Sequence, residues 1–367
     1  MNPYQTGKLG IAEGIALVFG MIIPRLFLSG MADSIQEDGQ LLWLSMLIYT
    51  VIPLVVLYMM IYVNNSITGN MVVVCQYLVG KIGTWIIMLA YSGMFFGDSA
   101  ILLRQYAEYT LITALPRVDF QLVIIWYALS VGIICYLGIE ALCRTGYIML
   151  PVVVGGLILV FVLTSPFYVV YNLTPWQGNG IKIAVQSGLE GVGLSLGVLS
   201  LVFLSSAFQD TKTIKTIALY ALGGTAVMRM MFALVYTMVF GVAVGAEKVM
   251  PSFELARLGY INQYIQHIEA VFILGWVILG LLSIAGSLYM ALYLIVLLLE
   301  LPTMRVIIPL GVILVANLAM LPPNIGYAIH VDQLLMQVSE IGIYIFPGIL
   351  FVMALVKKRR KKPCTDL

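Results

Sequence analysis

Charged residues are scarce in this chain: Asp, Glu, Lys and Arg together make up 10% of its 367 residues, whereas hydrophobic residues make up 62%. A membrane-spanning helix needs about 20 mostly apolar residues, and the chain divides into roughly ten such segments joined by short connections. This composition excludes a soluble chain and leaves no length for a separate soluble domain. The formal net charge of +2 is too small to indicate a nucleic-acid partner.

Cysteine and histidine are also scarce, at four and two residues. No CxxC spacing is present, so the sequence predicts neither a disulfide framework nor a zinc site, and we interpret the cysteines as packing residues. The sequence contains no nucleophile–base pair, phosphate-binding loop or metal-ligand spacing. We therefore predict that the chain is not an enzyme and holds no metal or cofactor. The four cysteines are Cys75, Cys135, Cys143 and Cys364.

The apolar runs predict ten membrane spans, at about 11–30, 40–63, 81–114, 120–138, 142–168, 184–207, 213–244, 264–298, 304–322 and 332–356. Ten spans divide into two units of five, and a duplicated unit with an odd number of spans must be inserted in opposite orientations. The sequence thus predicts an all-α polytopic membrane protein with a five-plus-five inverted repeat. Within one transmembrane domain, 1–367, repeat one is expected at about 8–170, repeat two at about 180–356 and a basic tail at 357–367.

The distribution of Lys and Arg predicts the orientation, because positive charge is retained on the cytoplasmic side. Both termini are predicted to be cytoplasmic, and the acidic segment 33–40 is predicted to be external. The basic tail is either a topology anchor or a contact for anionic membrane lipid. Twelve basic residues fall on the predicted inner side and four on the outer side: Lys8, Lys81, Arg144, Lys212, Lys215, Arg305, Lys357, Lys358, Arg359, Arg360, Lys361 and Lys362 against Arg117, Lys182, Lys248 and Arg257.

The first predicted span is interrupted in its middle by the segment from Gly20 to Arg25, which contains Pro24. Proline lacks an amide hydrogen and glycine tolerates unusual dihedral angles, so backbone hydrogen bonds are lost where no water replaces them. Such a break is tolerated inside protein or beside a cavity, although a simple proline kink is the alternative interpretation. The glycine-dense segment 187–197 occupies the matching place in the sixth span. In transporters, paired broken helices surround a substrate site near the membrane midplane.

Side chains from the third and eighth predicted spans complete this predicted site. Ser283 and Ser287 are one helical turn apart and present hydroxyl groups on the face that looks toward the break in the first span. The pocket offers backbone polar groups, two hydroxyls and apolar contacts without a mandatory charge. The predicted ligand-binding residues are Gly20, Ile22, Tyr91, Met94, Phe95, Leu196, Gly197, Ser283 and Ser287.

Ionisable residues inside the predicted spans need partners, since an unpaired charge within the membrane is costly. Asp98 is expected to meet Arg25 or Arg229 in the interior. Three carboxylates have no partner nearby in sequence and are either proton-binding groups or solvated residues near span ends: Glu190, Glu269 and Glu340. Two pairs at i,i+4 spacing are predicted to be structural ion pairs: Arg104–Glu108 and Glu140–Arg144.

A set of short motifs in fixed order resembles the B subunits of spore germinant receptors, a GerAB-like family within the amino acid–polyamine–organocation superfamily. Each motif is loose, but their order and spacing together are fairly specific, and they extend over nearly the whole chain. The motifs are Gly80-Lys81, Gly93, Gly97, Arg104 and Glu108, then Gly138-Ile139-Glu140, Arg144 and Pro151, then Leu173-Thr174-Pro175, and finally His267-Ile268-Glu269 with Trp276.

The resemblance implies an integral protein of the inner spore membrane that binds a small germinant, such as an amino acid or a sugar, and works with A and C subunits. It also implies the broken-helix, LeuT-like fold. The chain departs from the family pattern at Val198-Leu199, where an acid is often found, and at His267, where arginine is common, so the ligand's identity is not predicted. The sequence leaves open a receptor subunit, a secondary amino-acid transporter coupled to protons or Na⁺, and a structural subunit that has lost its ligand.

Overall fold

The structure is a computed structural model that describes residues 9–28, 30–65, 70–208, 210–259 and 269–360. His267 and Ile268 of the last family motif lie outside these residues. Thirteen α-helices are found in the described part of the chain: α1 (Ile11–Ile22), α2 (Gly30–Asp38), α3 (Leu42–Asn65), α4 (Met71–Thr113), α5 (Phe120–Leu137), α6 (Ile139–Leu163), α7 (Ile181–Glu190), α8 (Ser200–Phe203), α9 (Thr211–Gly245), α10 (Pro251–Arg257), α11 (Glu269–Leu299), α12 (Ile308–Met320) and α13 (Ile325–Arg360).

Each of the ten predicted spans contains helix. Eight described helical stretches are long and apolar enough to cross a membrane, and α12 is shorter at 13 residues. The first span consists of the 12 residues of α1 followed by a 3-10 segment, Ile23–Phe27. The predicted class, an all-α polytopic membrane protein, is confirmed.

Both predicted helix breaks are present. The first span changes from α-helix to 3-10 helix at Ile23, immediately before Pro24. In the sixth span α7 gives way to a 3-10 segment, Gly191–Leu199, in which Ser195 has non-helical dihedral angles. The two broken spans are neighbours, since the amide of Leu9 donates to the carbonyl of Ala207 at 2.9 Å just before α1 begins. The prediction of broken first and sixth helices is therefore confirmed over a simple proline kink.

The helices pack around α11, most of whose side chains are buried. Helix α11 makes its most extensive contact with α4, which also packs against α13, while α3 packs against α9. Helix α1 lies among α9, α6 and α11. The first broken span is thus enclosed by protein, the condition under which a non-helical segment survives at membrane depth.

Glycine at a positive φ angle divides or joins helices at two of the family motifs. Gly80 has φ +78° inside α4, so the straight part of the third span begins after it, and Gly138 has φ +92° between α5 and α6. L-residues with side chains rarely adopt these angles, so glycine is required there for its backbone freedom. In contrast, neither Gly155 nor Gly223 has a neighbouring atom within 4 Å of a Cβ built on it, so neither mediates close helix packing.

Candidate functional site

A cavity of about 530 Å³ lies between the two broken spans, at the end of the bundle that carries α2. Its wall is formed by the first break, α2, α3, α7 with the 3-10 segment that follows it, α9 and α13. Half-buried and buried apolar groups such as Leu26, Leu194 and Met336 share this wall with many charged groups. Residues of both helix breaks therefore line the cavity, and polar side chains cover much of its surface.

Arg25 forms the centre of a buried ionic cluster at one side of the cavity. Its Nη1 donates to Oδ1 of Asp332 at 2.9 Å, its Nε donates to Oδ1 of Asp98 at 3.1 Å, and its Nη2 pairs with the same oxygen of Asp98. The side chains of the three residues are between 7% and 11% exposed. Arg25, one of the two partners predicted for Asp98, is thus its partner in the structure. The two ion pairs connect the first break to α4 and α13.

Neutral groups complete this cluster. The hydroxyl of Ser287 donates to Oδ2 of Asp98, and the amide of Gln105 donates to Oδ2 of Asp332 at 3.0 Å. Tyr106 donates to the carbonyl of Pro24 at 3.0 Å, which connects α4 to the first break. One guanidinium group faces two carboxylates, so the cluster carries one formal negative charge in excess when both acids are ionised.

Arg229, from the middle of α9, lies on the cavity wall and is 2% exposed. Its contacts are long and involve neutral acceptors: Thr50 Oγ1 at 3.2 Å, Ser195 Oγ at 3.4 Å and the carbonyl of Ile22 at 3.5 Å. The guanidinium carbon also lies 5.1 Å from the ring centroid of Tyr49, in a cation–π contact. Arg229 therefore contacts both helix breaks and α3, and no ion pair to an acid is found for it among the described residues.

Acidic side chains line the remainder of the cavity. They belong to α2, α7 and α13, and most are partly or fully exposed, but Asp38 is 1% exposed. Asp38 accepts a hydrogen bond from Ser45 through Oδ2, while Oδ1 is buried without a hydrogen-bond partner in the described structure. The acidic lining residues are Asp33, Glu37, Asp38, Glu190 and Glu340.

The predicted ligand residues on the broken helices are buried beside this cavity rather than on its wall. Ile22 and Leu196 are 0% and 3% exposed, and a Cβ at Gly197 would lie 2.7 Å from the Cβ of Met21. Gly20 is also buried, yet a Cβ there would meet no atom within 4 Å, so free space adjoins it. A ligand role for these four residues stays a prediction.

The predicted ligand residues on the third and eighth spans are equally buried. Tyr91 donates to the carbonyl of Gly342 at 2.8 Å and packs edge-on against Phe203 and Phe346. Met94 and Phe95 are 7% and 0% exposed. Ser283 donates to the carbonyl of Met21 at 3.2 Å, so one predicted hydroxyl does face the first break. Tyr91 instead contacts α13, and a ligand role for the residues on these two spans stays a prediction.

The partners of each predicted ion pair lie close together, but the two pairs differ in environment. Arg104 and Glu108 approach to 2.9 Å, both are largely buried, and the Arg104 guanidinium lies 4.1 Å from the centroid of Phe120. Arg144 and Glu140 are 3.6 Å apart, and Arg144 is 67% exposed and equally close to Glu13. The first pair lies in the protein interior and the second lies at a solvated helix end.

Sequence reasoning did not identify Asp332 or Asp38, nor did it place Arg229 in a ligand site. Asp332 and Asp38 lie near the ends of helical segments, where an acid is ordinarily solvated. The available signal for Arg229 was its position in a 35-residue apolar helix without an acid at i±3 or i±4. An intramembrane charge without a local partner is a functional-site hypothesis by default.

The fold resembles that of solved membrane transporters. A nucleobase-cation-symport-1 family transporter in a closed conformation with bromovinylhydantoin bound has a TM-score of 0.68 at 17% identity, covering 98% of this chain and 81% of its own. A Na⁺-coupled sialic acid symporter in a substrate-bound outward-open state has a TM-score of 0.66 at 12% identity, covering 94% and 81%. MhsT in complex with L-phenylalanine has a TM-score of 0.63 at 13% identity, covering 95% and 96%.

These similarities show a LeuT-type transporter fold, in agreement with the predicted architecture. No curated protein sequence matches the chain. The family model described as spore germination protein matches residues 8–326. Because that match covers most of the sequence, the chain belongs to the spore germination protein family.

Proposed function

We propose that this chain is the germinant-binding membrane subunit of a spore germination receptor, located in the spore inner membrane. It senses a small nutrient, such as an amino acid or a sugar, and signals to A and C subunits. The observation that carries the proposal is the cavity of about 530 Å³ whose wall includes both broken helices. A small ligand in that cavity contacts the segments of the chain that are least constrained by helical hydrogen bonds.

The Arg25 cluster supports a route from ligand to conformational change. Arg25 lies on the cavity wall and joins the first break to α4 and α13 through Asp98 and Asp332. A ligand that binds one arrangement of these ion pairs more tightly than another shifts the population toward that arrangement. Movement of α13 or the first break then alters the surface that the chain presents to its partner subunits.

A secondary transporter coupled to protons or Na⁺ is the second candidate function. The excess negative charge of the Asp98–Arg25–Asp332 cluster favours it, because a buried carboxylate without a full counter-charge is a site for a proton or a small cation. The similar solved structures also include a Na⁺-coupled symporter. In this alternative the ligand crosses the membrane instead of remaining bound as a signal.

Filling the cavity tests its role directly. Gly30 lines the cavity, and a Cβ there meets no atom within 4 Å, so Gly30→Trp adds bulk without an immediate clash. Gly223→Trp is the matched control, since Gly223 also has no atom within 4 Å of a built Cβ but lies on an exposed face of α9 outside the cavity. We expect spores with Gly30→Trp to contain normal amounts of the protein and to lose their nutrient response, whereas Gly223→Trp spores respond normally. An unchanged response in Gly30→Trp spores would rule out this cavity as the germinant site.

Uptake by the purified chain separates the two candidate functions. In proteoliposomes that contain this chain alone, a receptor subunit binds labelled amino acids without accumulating them. A coupled transporter accumulates them, and the accumulation collapses when a proton or Na⁺ gradient is dissipated. Gradient-dependent accumulation blocked by Gly30→Trp would replace the receptor proposal with the transporter.

A further inference from the structure

Arg229 is a buried cation whose surroundings leave its charge unmatched. The other two arginines in the interior have acidic partners: Arg25 pairs with two carboxylates and Arg104 pairs with Glu108. Arg229 has three neutral acceptors at 3.2 to 3.5 Å, the long end of hydrogen-bond distances, and the face of Tyr49. A guanidinium group taken out of water needs an anion or strong hydrogen bonds to offset its lost hydration. The described residues supply only weak compensation.

Asp38, on the same cavity wall, is a buried acid without a cationic partner in the described structure. The residue is 1% exposed, and Oδ1 forms no hydrogen bond of regular geometry among the described residues. Ser45 donates to the other oxygen, and the Ser187 hydroxyl also lies near the carboxylate, so neutral hydroxyl groups rather than a cation face Asp38. A buried carboxylate that only neutral groups face lacks a counter-charge, and an ammonium group from a ligand would supply one.

These two unmatched groups flank one cavity, with Tyr49 also on its wall. Resting on the receptor function proposed above, we infer that the ligand is a small zwitterion whose carboxylate binds Arg229 and whose ammonium group binds Asp38. Arg229 contacts the carbonyl of Ile22 and the hydroxyl of Ser195, so a carboxylate bound there joins the first and sixth breaks. Neutral sugars lack both charges, so a bound sugar would leave Arg229 and Asp38 without a counter-charge.

The remaining charges of the lining agree with a single carboxylate at Arg229. Arg25 is already paired with Asp98 and Asp332, whose two carboxylates exceed its single positive charge, so it offers no net charge to a second anion. Four further acids, Asp33, Glu37, Glu190 and Glu340, line the cavity and disfavour a ligand with excess negative charge. A monoamino monocarboxylic acid fits this distribution of charge better than a dicarboxylic acid does.

The proposal is tested by comparing ligands that differ in one charged group. The probes are the twenty L-amino acids, their C-terminal amides, their N-acetyl derivatives and D-glucose, and the measurement is the binding affinity of the purified full chain in detergent. We expect at least one free amino acid to bind, with its amide and its N-acetyl derivative each about 10- to 100-fold weaker, since each lacks one charge-assisted hydrogen-bonding group. D-glucose is expected not to bind.

Variants assign each preference to one residue. In Arg229→Gln the amino acid and its amide should bind equally, while the preference over the N-acetyl derivative remains; in Asp38→Asn the reverse should hold. Arg229→Lys keeps the charge and should keep the preference for the acid at reduced affinity, which covers the case in which Arg229→Gln does not fold. Arg144→Gln, at an exposed arginine far in sequence from the cavity wall, is the control and should keep both preferences.

Several results would overturn the inference. They are equal binding of acid and amide by the unmodified chain, binding of D-glucose in place of amino acids, a retained acid preference in Arg229→Gln, and the absence of binding by any probe. A purely structural Arg229 predicts that Arg229→Gln lowers the unfolding temperature but leaves the ratio of acid to amide affinity unchanged. A spore response to a sugar that Gly30→Trp abolishes would leave the receptor proposal intact while removing Arg229 and Asp38 from ligand recognition.

Discussion

Gly193 shows how little space separates the sixth break from α13. A Cβ built on Gly193 would overlap the carbonyl oxygen of Met336, which is backbone and cannot rotate away. We expect Gly193→Ala to lower the free energy of unfolding by about 1–3 kcal/mol, because overpacking forces a backbone shift. Thermal unfolding of the purified protein measures this. Gly20→Ala is the control, since its Cβ would meet no atom within 4 Å, and equal stability of the two variants would contradict the described packing.

The Arg104–Glu108 pair permits a comparison between buried and exposed ion pairs. Glu108→Ala leaves the largely buried Arg104 without its carboxylate, and we expect a loss of about 1–3 kcal/mol and reduced protein abundance in the membrane. Glu140→Ala removes an acid from the exposed pair and should cost no more than about 1 kcal/mol. Exchange of the two charges, Arg104→Glu with Glu108→Arg, should restore part of the loss. Equal abundance of both single variants would show that Arg104 is adequately paired without Glu108.

At the scale of helices, Arg25 holds the first break against α4 and α13. Arg25→Gln leaves Asp98 and Asp332 as two buried carboxylates without their cation, and we expect a loss of about 3–5 kcal/mol in the free energy of unfolding. Neutralising one acid, as in Arg25→Gln with Asp332→Asn, should recover part of that loss because fewer charges remain unpaired. Thermal unfolding of the purified single and double variants tests this. Normal stability of Arg25→Gln would mean that the acids are protonated or paired elsewhere.

The breaks themselves were predictable because their cause is local. Pro24 and the glycines of 187–197 interrupt apolar runs, and the lost backbone hydrogen bonds follow from residue type alone. The partner of Asp98 could be predicted to be either Arg25 or Arg229, since few charged residues occur inside the spans. Asp332 could not be assigned, because it is 307 residues from Arg25 and nothing in its local sequence distinguishes it from a solvated acid.

The position of the cavity could not be predicted either. It depends on how α2, α3, α9 and α13 meet around the breaks. Asp38 and Arg229 lie on one cavity wall only because of that arrangement. The predicted ligand set relied on the breaks and on two serines, which pack against backbone carbonyls and a carboxylate in the described conformation. Local sequence patterns thus predicted the helices and their breaks. The residues of the cavity wall could be identified only from the way the helices pack together.

For the whole molecule, orientation in the membrane decides which compartment the cavity faces. The distribution of basic residues predicts cytoplasmic termini, so a reporter after Lys362 should be cytoplasmic and one inserted within 33–40 should be external. The cavity is lined by residues of α2 and should therefore open outward. Fusions with a reporter that is active on one side only measure both positions. Two reporters on the same side would exclude an odd number of spans per repeat.

The acidic lining described above also determines how quickly solutes arrive. Five acidic side chains against two arginines give the cavity wall a negative electric potential, which repels approaching anions and concentrates cations. Dissolved salt screens this potential over about 8 Å at physiological ionic strength. Association rates should thus rise with ionic strength for an anionic solute, fall for a cationic one and change least for a solute that carries both charges.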